Sequence, residues 1–398
     1  MRASAREGLG RALLVITSVA VVAGGLEAAA RVARRFRGPG YEAAETDRYM
    51  EYDPLLGWRK RPNSSVTYRR REYTVDETIN RHGLRELDRD YALPAGCVRI
   101  LALGDSFVEG YTVPFEQTVG HVLETALRAE GRQIEVLNAG TSGYSTDQEY
   151  LFYRTEGARY SPRVVLVFFY YNDVLYNDRE RFAQQPKPLL AVRDGRLEPV
   201  NSPVPAPSPA GHVRKPPAPH GSAILEWLRD RLLYGAPREH QALARLGLWD
   251  AIPTTRAPLE IRVYERHPPA EIEAAWSRTS DILGAIAEEA EVHAARLLVV
   301  YVPNRLEVDP RTWELTRIQY GVDETVWDRT AVRRHLEAIG AMRGFPVLDL
   351  TPALRREVHW PWSGPYFDYD GHWTAAGHRA AAGALRSFLE HAGWLGFG

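Results

Sequence analysis

The stretch VRILALGDSFVEGYTV, residues 98–113, decides the fold, because an apolar run ends there in a turn of small polar residues. Residues 98–103 predict a buried strand, and Gly104 and Asp105 then allow a sharp turn into a helix. Ser106 is thereby placed at the carboxyl end of the strand, where open α/β sheets bind their ligands. A serine hydroxyl is a weak nucleophile, so the hypothesis that Ser106 attacks a substrate requires a histidine base, a carboxylate and oxyanion donors elsewhere in the chain.

The tripeptide Gly-Asp-Ser is weak evidence by itself, since all three residues are common in turns and helix caps. The pattern that follows it is stronger. Strands are predicted at 98–103, 134–138, 164–170, 296–302 and 346–350, and helices at 116–130, 146–158, 223–234, 238–248, 271–294, 328–342 and 374–391. This alternation predicts an α/β fold with a five-stranded parallel sheet covered by helices on both faces.

The N-terminus, residues 1–37, predicts a membrane anchor followed by an interfacial helix. Residues 12–26 carry no charge and lie between three arginines and a second basic stretch. This run is shorter than the ~20 residues that span a bilayer, but snorkelling of Arg11 and Glu27 extends it to Ala30. An uncleaved anchor is favoured over a signal peptide cleaved after Ala30, because the charges beyond it resemble an interfacial helix. A buried core helix fits the extreme N-terminal position poorly.

The topology of the anchor is open to two interpretations. Basic residues after the apolar run outnumber those before it, so a strict positive-inside count places the body in the cytoplasm. Export is favoured nevertheless, because a lone N-terminal apolar segment ahead of a soluble body commonly acts as a secretion signal. The catalytic part is therefore expected at the periplasmic or extracellular face.

Composition excludes several classes of function. The net charge of −1 and the dispersed basic residues do not predict a nucleic-acid surface. Cys97 is the only cysteine, so there is no intrachain disulfide and no thiolate metal cluster. The chain also lacks an HExxH motif or a comparable histidine cluster, so neither a metal nor another cofactor is expected.

Two segments differ from the α/β pattern. Residues 38–94 alternate in a strand-like way and predict a small accessory β segment with a turn at residues 80–83. Residues 95–398 are assigned to the main domain. Within it, residues 184–222 are rich in proline and lack periodicity, and they are interpreted as a mobile insertion or lid without strands.

Two further blocks follow predicted strands and reach the same sheet edge as Ser106. The first is NAGTSGYST, residues 138–146, in which Gly143 lets a backbone N–H come close to a developing oxyanion. The second is YYND, residues 170–173, in which the amide of Asn172 could donate to the same oxygen. Each block is also compatible with an ordinary turn between a strand and a helix.

The last block, YFDYDGHWTAAGH at residues 366–378, supplies a histidine and two carboxylates. His372 is the candidate base for Ser106, and Asp370, two residues earlier, can fold back to orient the imidazole. Asp368 is the competing carboxylate, but it lies four residues away and beyond a bulky tyrosine. Metal ligation is the rival explanation for an Asp-x-His pair, and it would need at least a third ligand.

Together these four blocks resemble the SGNH (GDSL) hydrolase family over roughly residues 95–392. The resemblance implies a flavodoxin-like three-layer α/β/α sandwich. It also implies that Ser106 is the nucleophile and His372 the base, and that Gly143 and Asn172 join the N–H of Ser106 as oxyanion donors. Asp370 is the expected acid, as in membrane-anchored members with the sequence Asp-Gly-His-Trp.

The chain departs from the family pattern at two tyrosines. Tyr170 stands where the third block usually begins with glycine, which implies a narrower acyl slot. Tyr369 stands where the acid commonly lies, three residues before the histidine, which leaves the role to Asp370.

The expected function is that of a membrane-anchored, cofactor-free serine esterase. It would remove an acyl group, with acetyl as the first candidate, from an envelope carbohydrate or lipid through an acyl-enzyme. An O-acyltransferase that modifies a polysaccharide is the alternative within enzymes. A catalytically silent, anchored binding protein is less favoured, because every member of the triad is present.

Overall fold

The structure is a computed structural model that describes residues 2–36, 49–207, 222–359 and 364–396. In chain order its strands are β1 (Met50–Asp53), β2 (Gly57–Lys60), β3 (Ser65–Arg69), β4 (Thr74–Thr78), β5 (Val98–Leu103), β6 (Ile134–Asn138), β7 (Val164–Tyr170), β8 (Arg181–Phe182), β9 (Gln185–Pro186), β10 (Leu190–Arg193), β11 (Arg196–Pro199), β12 (Arg296–Val302) and β13 (Val347–Asp349).

The α-helices of the described residues are α1 (Arg2–Phe36), α2 (Ser106–Glu109), α3 (Val119–Ala129), α4 (Thr146–Thr155), α5 (Asp173–Tyr176), α6 (Ala223–Gly235), α7 (Pro237–Arg245), α8 (Ala270–Val292), α9 (Arg305–Val308), α10 (Pro310–Tyr320), α11 (Ala331–Arg343), α12 (Thr351–Arg356) and α13 (Ala375–His391). Short 3₁₀ turns lie at Phe115–Gln117, Gly157–Tyr160 and Leu259–Tyr264.

The central sheet has five parallel strands in the order β13-β12-β7-β5-β6. Successive residues of β5 enter different cores: Leu101 belongs to the core on one face of the sheet and Ile100 to the core on the other. The first core also holds side chains of α4, α8 and α11, and the second holds side chains of α3, α12 and α13. The predicted three-layer α/β/α architecture is confirmed.

The predicted strands at 98–103, 134–138, 164–170 and 296–302 have the same bounds in the structure. Runs of Val, Leu, Ile and Phe are buried on both faces of a parallel sheet, so their sequence signal is strong. The helices α9, α10 and α12 were not predicted. Helix α10 begins at Pro310, and Asp309 caps it by accepting a hydrogen bond from the N–H of Arg311 at 2.9 Å, since proline is favoured in the first turn of a helix.

The N-terminal β segment forms two antiparallel hairpins, β1 with β2 and β3 with β4. The predicted turn at residues 80–83 is present, with the N–H of Gly83 donating to the carbonyl of Asn80 at 3.1 Å. Trp58 and Tyr68 are buried in the same core as the sheet residue Leu101. The hairpins therefore pack directly onto one face of the sheet. Residues 38–48 of the predicted segment lie outside the described residues.

The prediction that the proline-rich segment contains no strand is wrong for its first half. Strands β10 and β11 pair as a hairpin, and Leu190 and Leu197 point into the core. The turn is Asp194-Gly195, with φ of 49° and 78°, which is the type of two-residue turn that Asp-Gly favours. That dipeptide was the overlooked signal among the prolines. Residues 208–221 of the segment lie outside the described residues.

Helix α1 contains a window, Leu14–Val32, with a mean hydropathy of 1.6. By length and composition it could cross a membrane as an anchor or act as a signal sequence. Val21, within the window, is 68% exposed. The window overlaps the predicted apolar run, and the division of the chain into anchor, β segment and hydrolase domain stays a prediction.

Candidate active site

Ser106 is the first residue of α2 and follows strand β5 after Gly104 and Asp105. Asp105 caps this helix by accepting a hydrogen bond from the N–H of Phe107 at 2.9 Å. A Cβ on Gly104 would lie 2.4 Å from the side chain of Val108, so only glycine allows the chain to turn this tightly. The turn presents Ser106 at the carboxyl edge of the sheet, as its sequence context predicted.

The structure brings Ser106, His372 and Asp370 into one chain of contacts. The Oγ of Ser106 lies 2.7 Å from Nε2 of His372, and Nδ1 of His372 lies 2.7 Å from Oδ1 of Asp370. The two outer residues are 264 positions apart in the sequence but lie on opposite sides of one imidazole, because residues 364–374 return to the edge where β5 ends. This is the relative order of nucleophile, base and acid in a serine triad.

The charge of Asp370 determines which nitrogen of the His372 imidazole carries the proton. Burial opposes ionisation of Asp370, but its hydrogen bond with His372 and a second one from Tyr73 outweigh burial and lower the pKa of the carboxyl. An ionised carboxylate only accepts hydrogen bonds, so Nδ1 of His372 must carry the proton. Nε2 is then left to accept the hydroxyl proton of Ser106, as a general base requires.

The candidate acid is held by residues that the sequence did not indicate. Tyr73 donates its hydroxyl to Oδ2 of Asp370 at 2.7 Å, and the hydroxyl of Tyr111 lies 3.3 Å from Oδ1 of Asp370 and 3.1 Å from Nδ1 of His372. Burial and the nearby charge of Asp370 raise the pKa of both tyrosines. They remain neutral donors that orient the carboxylate.

Glu72, in the turn between β3 and β4, holds the loop that carries Asp370. Its carboxylate accepts hydrogen bonds from the backbone N–H groups of Asp368 at 2.8 Å, Tyr369 at 3.0 Å and Asp370 at 3.0 Å. Charge-assisted hydrogen bonds of this kind are roughly twice as strong as neutral ones. Burial nevertheless raises the pKa of Glu72, against the effect of these three donors.

The competing carboxylate, Asp368, has a different partner. Its Oδ1 contacts the guanidinium of Arg305, which also donates to the carbonyl oxygens of Phe367 and Asp368 at 3.1 Å. Asp368 therefore forms an ion pair with Arg305 of α9. The carboxylate that contacts His372 is that of Asp370.

Gly143 occupies the third position of a turn in which the N–H of Tyr144 donates to the carbonyl of Thr141 at 3.0 Å. Its φ of 79° is the left-handed conformation that a type II turn requires at this position. A Cβ here would lie 3.0 Å from the ring of Phe182, on the hairpin β8–β9, so an aromatic ring packs directly against the glycine. The same loop is tied to the nucleophile turn by the N–H of Thr141, which donates to the carbonyl of Gly104 at 3.0 Å.

Asn172 precedes α5, directly after β7. Because β6 and β7 are the two neighbours of β5, the loops of Gly143 and Asn172 flank the Ser106 turn on either side. The Oδ1 of Asn172 is buried and has no hydrogen-bond partner, so its amide is not committed to the fold. The structure thus places both candidate oxyanion donors at the sheet edge of Ser106, although no direct contact joins either residue to the serine.

Tyr170 lies on the wall of this site. Its ring packs 4.7 Å from that of Phe107, which lies 4.8 Å from the imidazole of His372, and its hydroxyl accepts a hydrogen bond from Nδ2 of Asn304 at 3.2 Å. The ring and the hydroxyl of Tyr170 are therefore both held by neighbouring side chains. That it narrows the acyl slot stays a prediction.

The hairpin β1–β2 supports the loop of Gly143 from the other side. Trp58 donates its indole N–H to the carbonyl of Ser142 at 3.1 Å, Lys60 donates to the carbonyl of Gly140, and Tyr144 donates its hydroxyl to the carbonyl of Trp58 at 2.6 Å. The N-terminal β segment therefore positions both the candidate oxyanion loop and the candidate acid. Alternation in the sequence reveals the strands, but it carries no signal for these long-range contacts.

The profile of the GDSL-like lipase/acylhydrolase family matches residues 102–380, which is more than half of the chain. The chain belongs to this family and is a hydrolase that acts on ester bonds. The matched region begins inside β5, so the two supporting hairpins precede it.

Several solved structures are similar to the chain at low sequence identity. They include TesA, at 13% identity and a TM-score of 0.39 over 74% of this chain and 98% of that one. A lipase/acylhydrolase from Enterococcus faecalis is 12% identical, with a TM-score of 0.37 over 74% and 96% of the two chains. A mutant of Axe2, an acetylxylan esterase from Geobacillus stearothermophilus, is 12% identical, with a TM-score of 0.35 over 76% and 95%. No curated protein matches the chain.

Among the described residues, no group of three or more His, Cys, Asp and Glu side chains is arranged to hold a metal ion.

Proposed function

We propose that this chain is a membrane-anchored serine esterase that removes a short acyl group, acetyl first, from an envelope carbohydrate or lipid. The observation that carries the proposal is the chain of two 2.7 Å contacts from Ser106 through His372 to Asp370. An exported, periplasmic or extracellular, location of the body and an envelope ester as the partner belong to the same proposal.

The proposed reaction has two halves. In the first, Oγ of Ser106 forms a bond to the ester carbonyl carbon while its proton passes to Nε2 of His372, and the imidazolium is stabilised by the carboxylate of Asp370. Collapse of the tetrahedral intermediate breaks the bond to the alcohol, which leaves with the proton from His372. In the second half water attacks the acyl-serine in the same way, and the products are the acid and the free enzyme.

The tetrahedral intermediate would be stabilised by donors from three loops. The N–H of Ser106 lies in the first turn of α2, where a helix offers no internal acceptor. The N–H of Gly143 and the amide of Asn172 flank it. Donors already fixed where negative charge develops contribute about 10²–10³-fold in rate per donor.

Aromatic side chains support a short acyl group. The ring of Phe182 packs against Gly143, with Tyr176 at 4.6 Å on its far side, and Trp58 lies 3.3 Å from the Cβ position of the same glycine. Tyr170 lies near the other oxyanion loop. Rings that enclose the loop next to the reacting carbon leave little room for a long chain.

The proposal is tested with the full chain in detergent, using a fluorophosphonate probe and p-nitrophenyl esters of increasing chain length. We expect labelling of Ser106, fastest turnover of the acetyl ester, and loss of both in the Ser106→Ala variant. In subtilisin, a serine protease, loss of the nucleophile or the base costs about 10⁶-fold in kcat, and we expect a loss that approaches this size. Labelling of Ser142 or Ser145 in place of Ser106 would refute the assignment, and fastest turnover of a long-chain ester would refute the short acyl group.

A further inference from the structure

Among the described residues of the body, five exposed apolar side chains lie on α6 or directly after α7. Leu225 is 56% exposed, Trp227 46% and Leu228 38%, and two leucines that follow α7, Leu246 and Leu248, are 72% and 67% exposed. Contiguous exposed apolar side chains on a soluble body mark a site of interaction. We call these five residues the α6–α7 apolar surface.

An ion pair links the part of this surface that follows α7 to α6. Leu225 and Leu228 are three residues apart and so share one face of α6. Arg229, adjacent to Leu228, forms an ion pair with Asp250 at 3.2 Å, which draws the segment after α7 against the middle of α6. Leu248 is two residues from this ion pair. The ion pair therefore brings the segment that carries Leu248 close to α6.

The N-terminus of α6 is joined to the anchor helix α1. Glu27 accepts hydrogen bonds from the hydroxyl of Ser222 at 2.7 Å, the N–H of Ala223 at 3.0 Å and the N–H of Ile224 at 3.2 Å. Its other partner is Arg31, one turn further along α1, at 2.6 Å. A carboxylate is a favourable partner for the free N–H groups at a helix N-terminus. The contact therefore fixes where α6 begins relative to the anchor.

The position of Glu27 sets the depth of that contact. It precedes Val32, the last residue of the apolar window, by five residues, which at 1.5 Å per residue is about 7–8 Å along α1. A carboxylate at such a depth is costly in lipid unless it is paired, and the first N–H groups of α6 pair it. Helices that lie in a membrane interface bury their apolar face by about 5–10 Å, which is the same depth.

We propose, on the basis of the membrane anchoring proposed above, that the α6–α7 apolar surface lies in the interfacial layer of the bilayer that α1 crosses. The occupant is lipid, because the surface begins at the anchor contact and carries a tryptophan and arginines, which favour membrane interfaces. Of these, Arg231 lies 6.0 Å from the ring of Trp227.

This arrangement places the candidate acid loop close to the membrane. Asp230 accepts a hydrogen bond from the hydroxyl of Tyr369 at 3.0 Å, and Tyr234 packs 5.1 Å from the ring of Tyr369, the neighbour of Asp370. Asp230 is seven residues along α6 from Ala223, or about 10 Å. The body is thus held by two points, α1 and the α6–α7 apolar surface, with the active site directed at esters presented at the membrane surface.

The test uses the full chain in vesicles of phosphatidylethanolamine and phosphatidylglycerol. In a Cys97→Ser background, single cysteines are introduced by Leu225→Cys, Leu248→Cys, Val21→Cys and Val292→Cys, and each is labelled with bimane. Val21 reports on the anchor, and Val292, 77% exposed at the end of α8, is the matched control. Quenching is measured with a nitroxide near the lipid headgroup, with a nitroxide deep in the chain, and with aqueous iodide.

We expect the shallow nitroxide to quench the labels at 225 and 248 more than the deep one, with the label at 292 quenched only by iodide. Quenching of 225 and 248 by iodide alone would overturn the inference, as would protection from all three quenchers, which would indicate a second copy or another protein on the surface. A label at 21 that lipid nitroxides do not quench would instead refute the anchoring on which the inference rests. Labelling of Ser106 by the fluorophosphonate in the same vesicles tests the esterase proposal separately.

Discussion

The two sides of His372 are built in different ways. On the side of Ser106, the loops of Gly143 and Asn172 follow strands that are neighbours of β5, so the topology of the sheet brings them together. On the side of Asp370, the carboxylate is held by Tyr73, which is 297 residues away in the sequence. The first arrangement follows from strand order, whereas the second depends on a hairpin that lies outside the region matched by the family.

The two sides also differ in the pKa shifts of their aspartates, Asp105 next to Ser106 and Asp370 next to His372. Burial raises the pKa of Asp105 to about 6, and the N–H of Phe107 offsets this only in part. Asp370 is also buried, but hydrogen bonds from His372 and Tyr73 lower its pKa. Burial raises the pKa of both carboxyls, but the net shifts are opposite because Asp370 accepts stronger hydrogen bonds than Asp105 does.

The largest difference is expected between the two candidate acids. Asp370→Asn removes the group that fixes the tautomer of His372, a change that lowers kcat by about 10⁴-fold in a serine protease. We expect about 10³-fold here, because the hydroxyl of Tyr111 also lies 3.1 Å from Nδ1 and can accept a hydrogen bond from its N–H, which helps to keep the correct tautomer. The control, Asp368→Asn, breaks only an ion pair with Arg305. Both are measured as kcat/KM on one ester at fixed pH, with folding checked by circular dichroism. A greater loss in Asp368→Asn would reverse the assignment.

On the nucleophile side, Asn172→Ala removes one candidate oxyanion donor. We expect kcat to fall by about 10²–10³-fold, because the donor acts on charge that is present mainly in the transition state. KM should change little, and labelling of Ser106 by a fluorophosphonate should slow without being abolished. If KM rises while kcat is unchanged, Asn172 contributes to binding of the ground state and the proposed role is wrong.

The raised pKa of Asp105 predicts a pH-dependent stability. Because the folded state binds the proton more tightly than the unfolded state, its contribution is fully present below pH 3.8 and is lost as the pH rises through about 6. The difference of about 2.2 between the two pKa values corresponds to at most about 3 kcal/mol. Asp105→Asn can retain the cap on Phe107 but does not titrate. The free energy of unfolding of the native chain should therefore fall relative to this variant between pH 4 and pH 7, and a constant difference would contradict the assignment.

The smallest effect on activity is expected from a change next to Asp370, the candidate acid. Tyr73→Phe removes the 2.7 Å hydrogen bond to Asp370 but leaves Tyr111 and the loop held by Glu72. We expect kcat/KM to fall about fivefold, or about 1 kcal/mol, with the greatest loss at acidic pH, because the carboxyl of Asp370 loses a donor and protonates at a higher pH than in the native chain. Tyr52→Phe, which removes a tyrosine hydroxyl bonded to Val204, is the control. A uniform loss at all pH values would indicate a structural role for Tyr73.

The sequence alone determined the architecture of the sheet and the residues at its edge. Strands buried on both faces of a sheet have continuous apolar sequences. Four of the five strands of the central sheet were therefore predicted with their observed bounds. Ser106, Gly143 and Asn172 could be named because each follows such a strand directly, and parallel strands end at one edge. His372 and Asp370 could be named because their spacing allows one to reach the other.

Tertiary structure alone decided what surrounds these residues. The contacts of Glu72 and Tyr73 with the candidate acid loop, of Phe182 with Gly143, and of Glu27 with α6 join segments that are far apart in the chain. A local pattern records which face of an element is apolar, but it does not record which distant element will cover that face. The periodicity of the sequence therefore predicted the N-terminal strands but could not predict that they lie next to the candidate active site.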